Sequence, residues 1–402
     1  MTSRESDAPP IDPIRRLLRE SHLLAADQVA PVVAARAADL GFLETVIYLT
    51  DYEQVSLLPL PGPGVPPRQE LSIEGMVAGL SYRRMQVAHT DRPGSGHHLW
   101  LPLLDGAKRL GVIELQVATA TADSEDEART LASLVAELVV VNDLDSDAFS
   151  RLRRRRVMTL AAEIQWDLLP PQTFATNRFV IAGALEPAYE IGGDTFDYAV
   201  TDDTADVLVL DSVGHGLPAA LLASAAVGAY RHARRSQLDL PAISQAMDAV
   251  IAQQFSASQF ATAAIVRLDL DTGRLRWVNA GHPAPLILRS GSLLHLPACP
   301  PARPLGLQTG KPLECETRLQ PGDQVLLYTD GIIEARSPQG EFFGEDRLAD
   351  FILRAAAAGD PAPETVRRLM RQVLAHQADQ LQDDASIVLL EWRTGRERHL
   401  LA

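Results

Sequence analysis

Cysteine is nearly absent from this chain of 402 residues, which contains only Cys299 and Cys315. Neither belongs to a Cys-x-x-Cys pair and no Cys/His cluster surrounds them, so the sequence argues against a disulfide framework and against a structural zinc site. Cytosolic proteins keep their thiols reduced, whereas small secreted domains depend on disulfides. The cysteine content therefore predicts a reducing, cytoplasmic location.

Long apolar runs are absent as well. No stretch of about 18 uncharged apolar residues occurs, and Glu137 interrupts the longest candidate, near 134–141. The first twenty residues contain no apolar segment of the kind that secretory signal peptides have. We therefore expect neither a membrane span nor a signal peptide.

Positive charge is in deficit, because the net charge is -15. Nucleic acids select basic surfaces, so this balance argues against a nucleic-acid partner. The chain is otherwise ordinary for a globular protein, with 46% hydrophobic and 22% charged residues. Its length suggests two or three domains.

The N-terminal third predicts a sensor-like domain. Residues 1–10 are polar and are expected to be disordered, and residues 11–145 alternate between helical and strand periodicity. Helical spacing covers 11–40 and 124–141, strands are predicted at 45–50 and 55–60, and a hairpin turns at Asp105-Gly106. This order, together with WLPLLDGAKRLGVIEL at 100–115, resembles a GAF domain. The resemblance implies an α/β module for small-molecule sensing or for dimerisation, and both alternatives stay open.

Residues 146–172 are predicted to form a helical linker, as part of one helix that runs from 143 to 170 and stops at Pro170-Pro171. A run of arginines lies at 151 and 153–156. One interpretation is a helix that pairs with its copy in a homodimer and transmits a signal. The alternative is a solvated, charged helix face.

Residues 173–395 are predicted to form a second domain, in which strands come in blocks separated by helices. This order favours an α+β layered domain over alternating βαβ units. The predicted helices are 217–235, 241–254, 347–358 and 363–377. The predicted strands are 179–184, 206–211, 262–270, 275–279, 285–289, 292–296, 324–329 and 386–392.

Four acidic segments punctuate this second domain. They are GGDTFD at 192–197, DSVGHG at 211–216, YTDG at 328–331 and DDAS at 383–386. Most lie at strand ends, which position side chains well at the rim of a sheet. Each alone would be an ordinary turn. Together they predict a two-metal site for phosphate hydrolysis, because hard divalent cations prefer carboxylate oxygens and can activate a water near neutral pH.

Eight segments in order resemble the SpoIIE/RsbU branch of the PPM (protein phosphatase 2C-like) phosphatases. The resemblance implies a sandwich of two antiparallel sheets flanked by helices. It also implies Mg²⁺- or Mn²⁺-dependent hydrolysis of phosphoserine or phosphothreonine in proteins, with anti-sigma-factor antagonists as the usual substrates. The segments are 161–170, 187–194, 211–216, 260–262, 279–283, 304–306, 328–334 and 383–384.

The resemblance also implies roles for individual residues. Asp211 would bridge two metal ions, and Ser212 would offer its backbone carbonyl. Asp330 and Asp383 would complete the shell of one ion. Asp194 would bind the second ion, directly or through water.

Five further residues follow from the same motifs. Asp384 is the less favoured ligand of the Asp383-Asp384 pair. Gly193 and Gly331 would allow the backbone to approach closely. His215 is a candidate general acid, with a structural role as the alternative. His282 is expected to order a loop, with direct catalysis as the alternative.

Two functional interpretations compete. One is an active phosphatase regulated through the GAF-like domain. The other is a pseudophosphatase that binds a partner without catalysis. The intact acidic set favours catalysis, because pseudoenzymes usually lose such residues.

Overall fold

The computed structural model describes residues 12–92, 96–190, 192–294, 296, 299–308, 310–378 and 383–393. The disorder predicted for 1–10 lies outside the described residues. The chain divides into two compact units, with the boundary between Arg155 and Arg156. Within the described ranges, no helix is both long and apolar enough to cross a bilayer.

The first unit is built on one antiparallel sheet of six strands in the order β3-β2-β1-β6-β5-β4. Its strands are β1 (Glu44–Thr50), β2 (Ser56–Pro59), β3 (Leu71–Ser72), β4 (Ala88–Arg92), β5 (Gly96–Asp105) and β6 (Lys108–Val117). Its helices are α1 (Pro13–Ser21), α2 (Val29–Asp39), α3 (Val77–Arg84), α4 (Ala122–Asp145) and α5 (Asp147–Arg153). The predicted strands, hairpin and helix 124–141 are confirmed, whereas β3, α3 and β4 were not predicted.

Side chains alternate between the two faces of this sheet. Ile47 and Leu49 join the larger core under α1, α2 and α4, while Val46 and Tyr48 join a smaller core under α3. Successive residues of a strand point to opposite faces, so both faces of β1 are buried. This explains why β1 reads as a continuous apolar run.

The prediction of one helix from 143 to 170 is wrong. Ser146 is extended (φ -145°, ψ 132°) and caps α5, and Arg154 is extended again. A new helix, α6 (Leu160–Leu168), begins after Thr159, whose hydroxyl accepts a hydrogen bond from the Ala162 amide. Serine and threonine favour helix starts, so two local caps divide a segment whose apolar spacing looks continuous.

Two arginines of the predicted linker, Arg153 and Arg155, bind to the body of the first unit. Arg153 donates from Nε to the Thr50 carbonyl at 2.9 Å. Arg155 forms a two-pronged ion pair with Glu70, at 2.7 and 3.2 Å. These contacts fold part of the segment back onto its own unit, while Arg151 and Arg155 stay exposed, in agreement with the solvated alternative. Pairing with a second copy stays a prediction.

The second unit is a sandwich of two antiparallel sheets. The first sandwich sheet has the order β15-β12-β11-β10-β9, and the second has the order β14-β13-β16-β17-β8-β7. The strands are β7 (Thr173–Ala175), β8 (Phe179–Glu186), β9 (Asp194–Val200), β10 (Thr204–Ser212), β11 (Ala261–Asp269), β12 (Arg274–Ala280), β13 (Leu286–Arg289), β14 (Ser292–Leu294), β15 (Cys315–Arg318), β16 (Gln324–Tyr328) and β17 (Ala385–Trp392).

Helices cover the outer faces of this sandwich. They are α7 (Leu217–Arg235), α8 (Leu240–Gln254), α9 (Asp330–Ile333), α10 (Gly344–Ala357) and α11 (Ala362–His376). Helices α7 and α8 pack on the first sandwich sheet, and α11 packs on β8 and β17 of the second. The predicted layered sandwich is confirmed, and β7, β9, β15 and α9 are elements that were not predicted.

The structure contains a disulfide, contrary to the prediction from the cysteine content. Cys299 and Cys315 are bonded to each other, with their Cα atoms 6.1 Å apart. The chain after Cys299 returns beside the first sandwich sheet, where Leu305 pairs with Ala261. Only tertiary pairing brings the two cysteines together, so the sequence could not show it. The reducing location stays a prediction.

Candidate active site

Asp211, near the end of strand β10, lies on the face of its sheet that is turned towards the second sandwich sheet. Leu208 and Leu210 pack into the core under α7 and α8. Because side chains alternate along a strand, Asp211 points to the opposite face, towards the second sandwich sheet. Ser212 turns back towards α7, and its hydroxyl lies 3.0 Å from the carbonyls of both Gly193 and Ala219.

Asp211 is the centre of a polar row across three strands. It lies directly opposite Asp194 on β9 and Thr262 on β11. Residues opposite each other in antiparallel strands present their side chains on the same face. Asp194, Asp211 and Thr262 therefore stand side by side on the inner face of the first sandwich sheet.

Thr329 connects this row to the second sandwich sheet. Its hydroxyl donates to Oδ2 of Asp194 at 2.5 Å and accepts from the Ser386 amide at 2.9 Å. Thr329 is fully buried and Asp194 is 2% exposed. A buried carboxylate needs such a donor, because burial without a hydrogen bond is costly. Thr329 therefore fixes the orientation of Asp194.

The other end of the row is held by His282. Its Nδ1 lies 2.8 Å from the hydroxyl of Thr262. The Asn279 side chain forms two hydrogen bonds with the backbone of His282: it accepts from the His282 amide at 2.8 Å and donates to its carbonyl at 2.6 Å. The contacts support the predicted loop-ordering role of His282 and give Asn279 a matching role.

Asp384 is engaged with the backbone of the 192–193 loop. Its Oδ2 accepts hydrogen bonds from the amides of Gly192 and Gly193, at 2.6 and 2.7 Å. Asp383, the preceding residue, is exposed, and its Oδ1 accepts from the Asp384 amide at 2.9 Å. The two neighbours thus differ: Asp384 holds a loop, while Asp383 faces solvent.

Two glycines permit this close packing. A Cβ at Gly193 would lie 2.3 Å from the Ser212 carbonyl oxygen, and a Cβ at Gly331 would lie 1.8 Å from the Asp384 carbonyl oxygen. Asp330 precedes Gly331 at the start of α9. The backbone thus approaches other backbone closely at both glycines, and at Gly331 this brings Asp330 beside the 383–384 segment.

Electrostatics show that these carboxylates crowd one another. Burial, together with the charges of Asp330, Asp383 and Asp384, raises the pKa of Asp211 to about 7. Burial also raises the pKa of Asp194 well above its ordinary value, with Asp211 as the next cause. Neighbouring like charges disfavour ionisation. The site therefore concentrates negative charge. No cationic side chain of the described residues is among the groups that shift the pKa of Asp194 or Asp211.

This donor set fits divalent cations. The crowded groups are hard carboxylate oxygens, and the Ser212 carbonyl adjoins them, as Mg²⁺ and Mn²⁺ prefer. Within the described ranges, no three His, Cys, Asp or Glu side chains are already close enough to hold one ion. The carboxylates nevertheless lie close enough to one another for their charges to act on Asp211.

Two residues from the motifs lie apart from the row. Asp197 points towards α7, where Arg231 binds it at 2.9 Å and Arg234 at 3.4 Å. His215 is exposed in the loop between β10 and α7, with its Cα close to Gly192. Asp197 is therefore a structural ion-pair partner, and His215 borders the site without joining the carboxylate row.

Sequence reasoning assigned no role to Thr262, Asn279 or Thr329, although all three occur inside the quoted motifs. The available signal was strand alternation. Thr329 directly follows the buried strand β16, and Thr262 lies on β11 opposite Asp211. Assigning the strand faces would have placed Thr262 beside the aspartates.

Part of the second unit matches the model of a known family. Residues 201–393 match the model of the Stage II sporulation protein E (SpoIIE) family. The second unit contains a SpoIIE-family PPM phosphatase domain. The SpoIIE-family match includes Asp211, Asp330, Asp383 and Asp384, and it begins after Asp194.

Relatives of this SpoIIE-family domain are distant. Phosphoserine phosphatase RsbU of Bacillus subtilis is 23% identical over 232 residues, which are 58% of this chain and 68% of RsbU. Protein IcfG of Synechocystis is 23% identical over 341 residues, 74% of this chain and 52% of IcfG. The chain thus spans about half the length of IcfG.

One solved structure similar to the chain contains the RsbU and RsbW domains of Rv1364c from Mycobacterium tuberculosis. It is 27% identical, with a TM-score of 0.49, and the match covers 55% of this chain and 62% of that chain. The GAF-like character of the first unit stays a prediction.

We expect His282 to make stability depend on pH. Burial, partly offset by the nearby Tyr328 carbonyl, lowers the pKa of His282 to about 4. Nε2 of His282 forms no regular hydrogen bond with the described residues. An unfolded histidine titrates near 6.5. Between these values the unfolded chain binds more protons, so the free energy of unfolding falls as the pH falls.

The test is urea unfolding at pH 7 and pH 5, with wild type and His282→Asn compared at each pH. Wild type should lose about 2 kcal/mol more than the variant between the two values. Exposed His232 provides the control, because His232→Asn should follow wild type. An equal pH dependence in wild type and His282→Asn would contradict the buried neutral state.

Proposed function

We propose that the second unit hydrolyses phosphoserine or phosphothreonine in a protein substrate, using two divalent cations, Mg²⁺ or Mn²⁺. The observation that carries this proposal is the row in which Asp211 lies directly opposite Asp194, with Asp330 and Asp383 brought to the same rim by the second sandwich sheet. When bound, the cations would supply Lewis acidity and lower the pKa of a water nucleophile.

The residues of this chain would divide the work. Asp211, the Ser212 carbonyl, Asp330 and Asp383 would hold one cation, and Asp211 with Asp194 would hold the other. In this proposal Asp383 is the ligand of its pair, because Oδ2 of Asp384 already accepts two backbone amides.

Positioning residues would keep these ligands in place. Thr329 orients Asp194, and Asp384 holds the loop of Gly193 against the end of β10. A misplacement of about 1 Å can cost a hundredfold in rate. The buried hydrogen bonds around the row are therefore part of the proposed machinery.

The substrate we propose is a phosphorylated anti-sigma-factor antagonist. RsbU, which is similar to this chain, is named a phosphoserine phosphatase, and this supports the chemistry more directly than it supports the partner. We also propose that the first unit is a GAF-like module that forms a homodimer or binds a ligand and so regulates the second. Light scattering of the full chain tests the dimer.

Phosphatase activity is tested by hydrolysis of p-nitrophenyl phosphate and of a phosphoserine peptide by the full chain with Mn²⁺. Turnover of both should stop when a chelator is added and return with excess Mn²⁺. Absence of chelator-sensitive turnover on either substrate would favour the alternative, a pseudophosphatase that binds a partner without catalysis.

His215 is the proposed general acid for the leaving serine oxygen. A serine alkoxide is a poor leaving group and needs a proton, whereas p-nitrophenolate does not. We expect His215→Gln to slow phosphoserine hydrolysis about a hundredfold and p-nitrophenyl phosphate hydrolysis only about threefold. An equal loss on both substrates would indicate a structural role, and His232→Gln is the control.

A further inference from the structure

A small cavity in the first unit has no role in the proposed phosphatase chemistry. Its volume is about 90 Å³, and it lies between β1, β6 and the helices α4 and α5. Leu110, Val139 and Phe149 form apolar walls, and Lys108, Asp143 and Arg153 also line it. A water molecule occupies about 30 Å³ in the liquid, so the space suits a ligand of a few heavy atoms.

The charged lining carries an excess of positive charge. Lys108 and Arg153 repel each other, and Asp143 is the one acidic group among the described lining residues. Asp143 is already shared, since it lies 3.9 Å from Nη1 of Arg153 and 3.5 Å from the Ser150 hydroxyl. Within the described lining, two cations and one carboxylate leave a net positive charge of one, which a monoanion would neutralise. Asp105, opposite Lys108 in the hairpin, attracts Lys108 from outside the lining.

Lys108 is attracted by Asp143 and Asp105 but is in direct contact with neither. Among the described residues its ammonium makes no hydrogen bond or ion pair. Burial lowers its pKa, with the charge of Arg153 as the next cause. A half-buried ammonium beside a second cation is costly unless an anion compensates it.

Arg153 is fixed in its position at the cavity. Its Nε donates to the Thr50 carbonyl at 2.9 Å, and its guanidinium lies 4.8 Å from the centre of the Tyr52 ring. The side chain therefore cannot leave to relieve the repulsion with Lys108 without losing these contacts. The excess positive charge is thus built into the cavity.

We propose that this cavity binds a short-chain monocarboxylate, with the carboxylate between Lys108 and Arg153 and the hydrocarbon tail against Leu110, Val139 and Phe149. The charge of the lining selects a monoanion, and the apolar walls select a tail of a few carbons. Phosphate would match the positive charge but would leave the apolar walls without a partner.

The probe is sodium butyrate, added to the full chain at constant ionic strength and followed by thermal unfolding. Above the dissociation constant the unfolding midpoint should rise with the logarithm of the butyrate concentration, by about 5 °C at a hundred times that constant. Neutral butyramide and inorganic phosphate should each give less than a third of that rise. No rise with butyrate, or an equal rise with either comparison compound, would overturn the proposal.

Variants test whether the butyrate-dependent rise in the unfolding midpoint arises from binding in the cavity. Lys108→Met should abolish the butyrate-dependent rise, and Val139→Phe should do so by filling the space. The chain has only one other lysine, exposed Lys311, and Lys311→Met is therefore the matched control that should respond as wild type does. A retained butyrate response in Lys108→Met would contradict the assignment.

Amine labelling tests the same site without any substitution. Reductive methylation of the wild-type chain by formaldehyde and dimethylamine–borane, which releases no carboxylate, is followed by peptide mass spectrometry at both lysines. Butyrate at ten times its dissociation constant should slow modification of Lys108 about tenfold and leave Lys311 unchanged. Equal rates at Lys108 with and without butyrate would refute the proposal even if the Lys108 variant fails to fold.

Discussion

An Asp211→Asn variant should lose phosphatase activity by on the order of a thousandfold while it keeps its fold. Asp211 stands at the centre of the row, opposite both Asp194 and Thr262. In the proposed site it is shared by both cations, so its loss weakens both at once. An asparagine has nearly the same shape, which leaves the packing of β10 unchanged.

The same variant should be more stable than wild type when metal is removed. Burial and the neighbouring carboxylates disfavour the ionised form of Asp211, and an amide removes that cost. In chelator at pH 8 we expect the unfolding midpoint of the variant to rise by about 3 °C. Lower activity with higher metal-free stability is a combination that simple misfolding cannot produce.

The measurements are chelator-sensitive hydrolysis of a phosphoserine peptide and thermal unfolding with and without Mn²⁺. Asp202→Asn is the control, because Asp202 is an exposed residue in the turn between β9 and β10. It should behave as wild type in both assays. If Asp211→Asn retained more than about a tenth of wild-type activity, Asp211 could not be the shared ligand.

The sequence predicted those elements whose local signals agree with their tertiary setting. Helix α7 was predicted at its observed bounds, because Pro218 marks its first turn and its alanine-rich face packs on the first sandwich sheet. Strand β9 was missed, because its glycine-rich start at 192–193 indicates a turn when viewed locally. That loop is held by a carboxylate almost two hundred residues away.

The sequence predicted which residues belong to the candidate site better than it predicted the contacts among them. The aspartates could be chosen because the acidic segments follow one another along the chain in the same order as in the phosphatase family that the sequence resembles. The difference between Asp383 and Asp384 could not be derived, because it depends on which carboxylate meets the amides of Gly192 and Gly193. Asp197 belongs to one of the acidic segments but lies outside the carboxylate row. It pairs instead with Arg231 and Arg234 of α7, and this pairing could not be derived from the sequence.

Gly331→Ala should have the largest effect among substitutions that remove no functional group. A Cβ at this position would lie 1.8 Å from the carbonyl oxygen of Asp384. No rotamer change can relieve the overlap, because the carbonyl oxygen is a backbone atom and the position of a Cβ is fixed by its own backbone. The 383–384 segment must therefore move, and with it the contact between Asp384 and the 192–193 loop.

We expect this alanine to lower the free energy of unfolding by about 3 kcal/mol and activity by about a hundredfold. Gly228→Ala is the matched control, because Gly228 also lies in a helix and a Cβ there meets nothing within 4 Å. That change should raise the free energy of unfolding by up to about 1 kcal/mol, since alanine is the better helix former. Urea unfolding and Mn²⁺-dependent turnover of both variants decide the matter. If Gly331→Ala were as stable and as active as Gly228→Ala, the backbone of Asp384 could not lie against α9, and the carboxylates of Asp330 and Asp383 would lose the contact that brings them together.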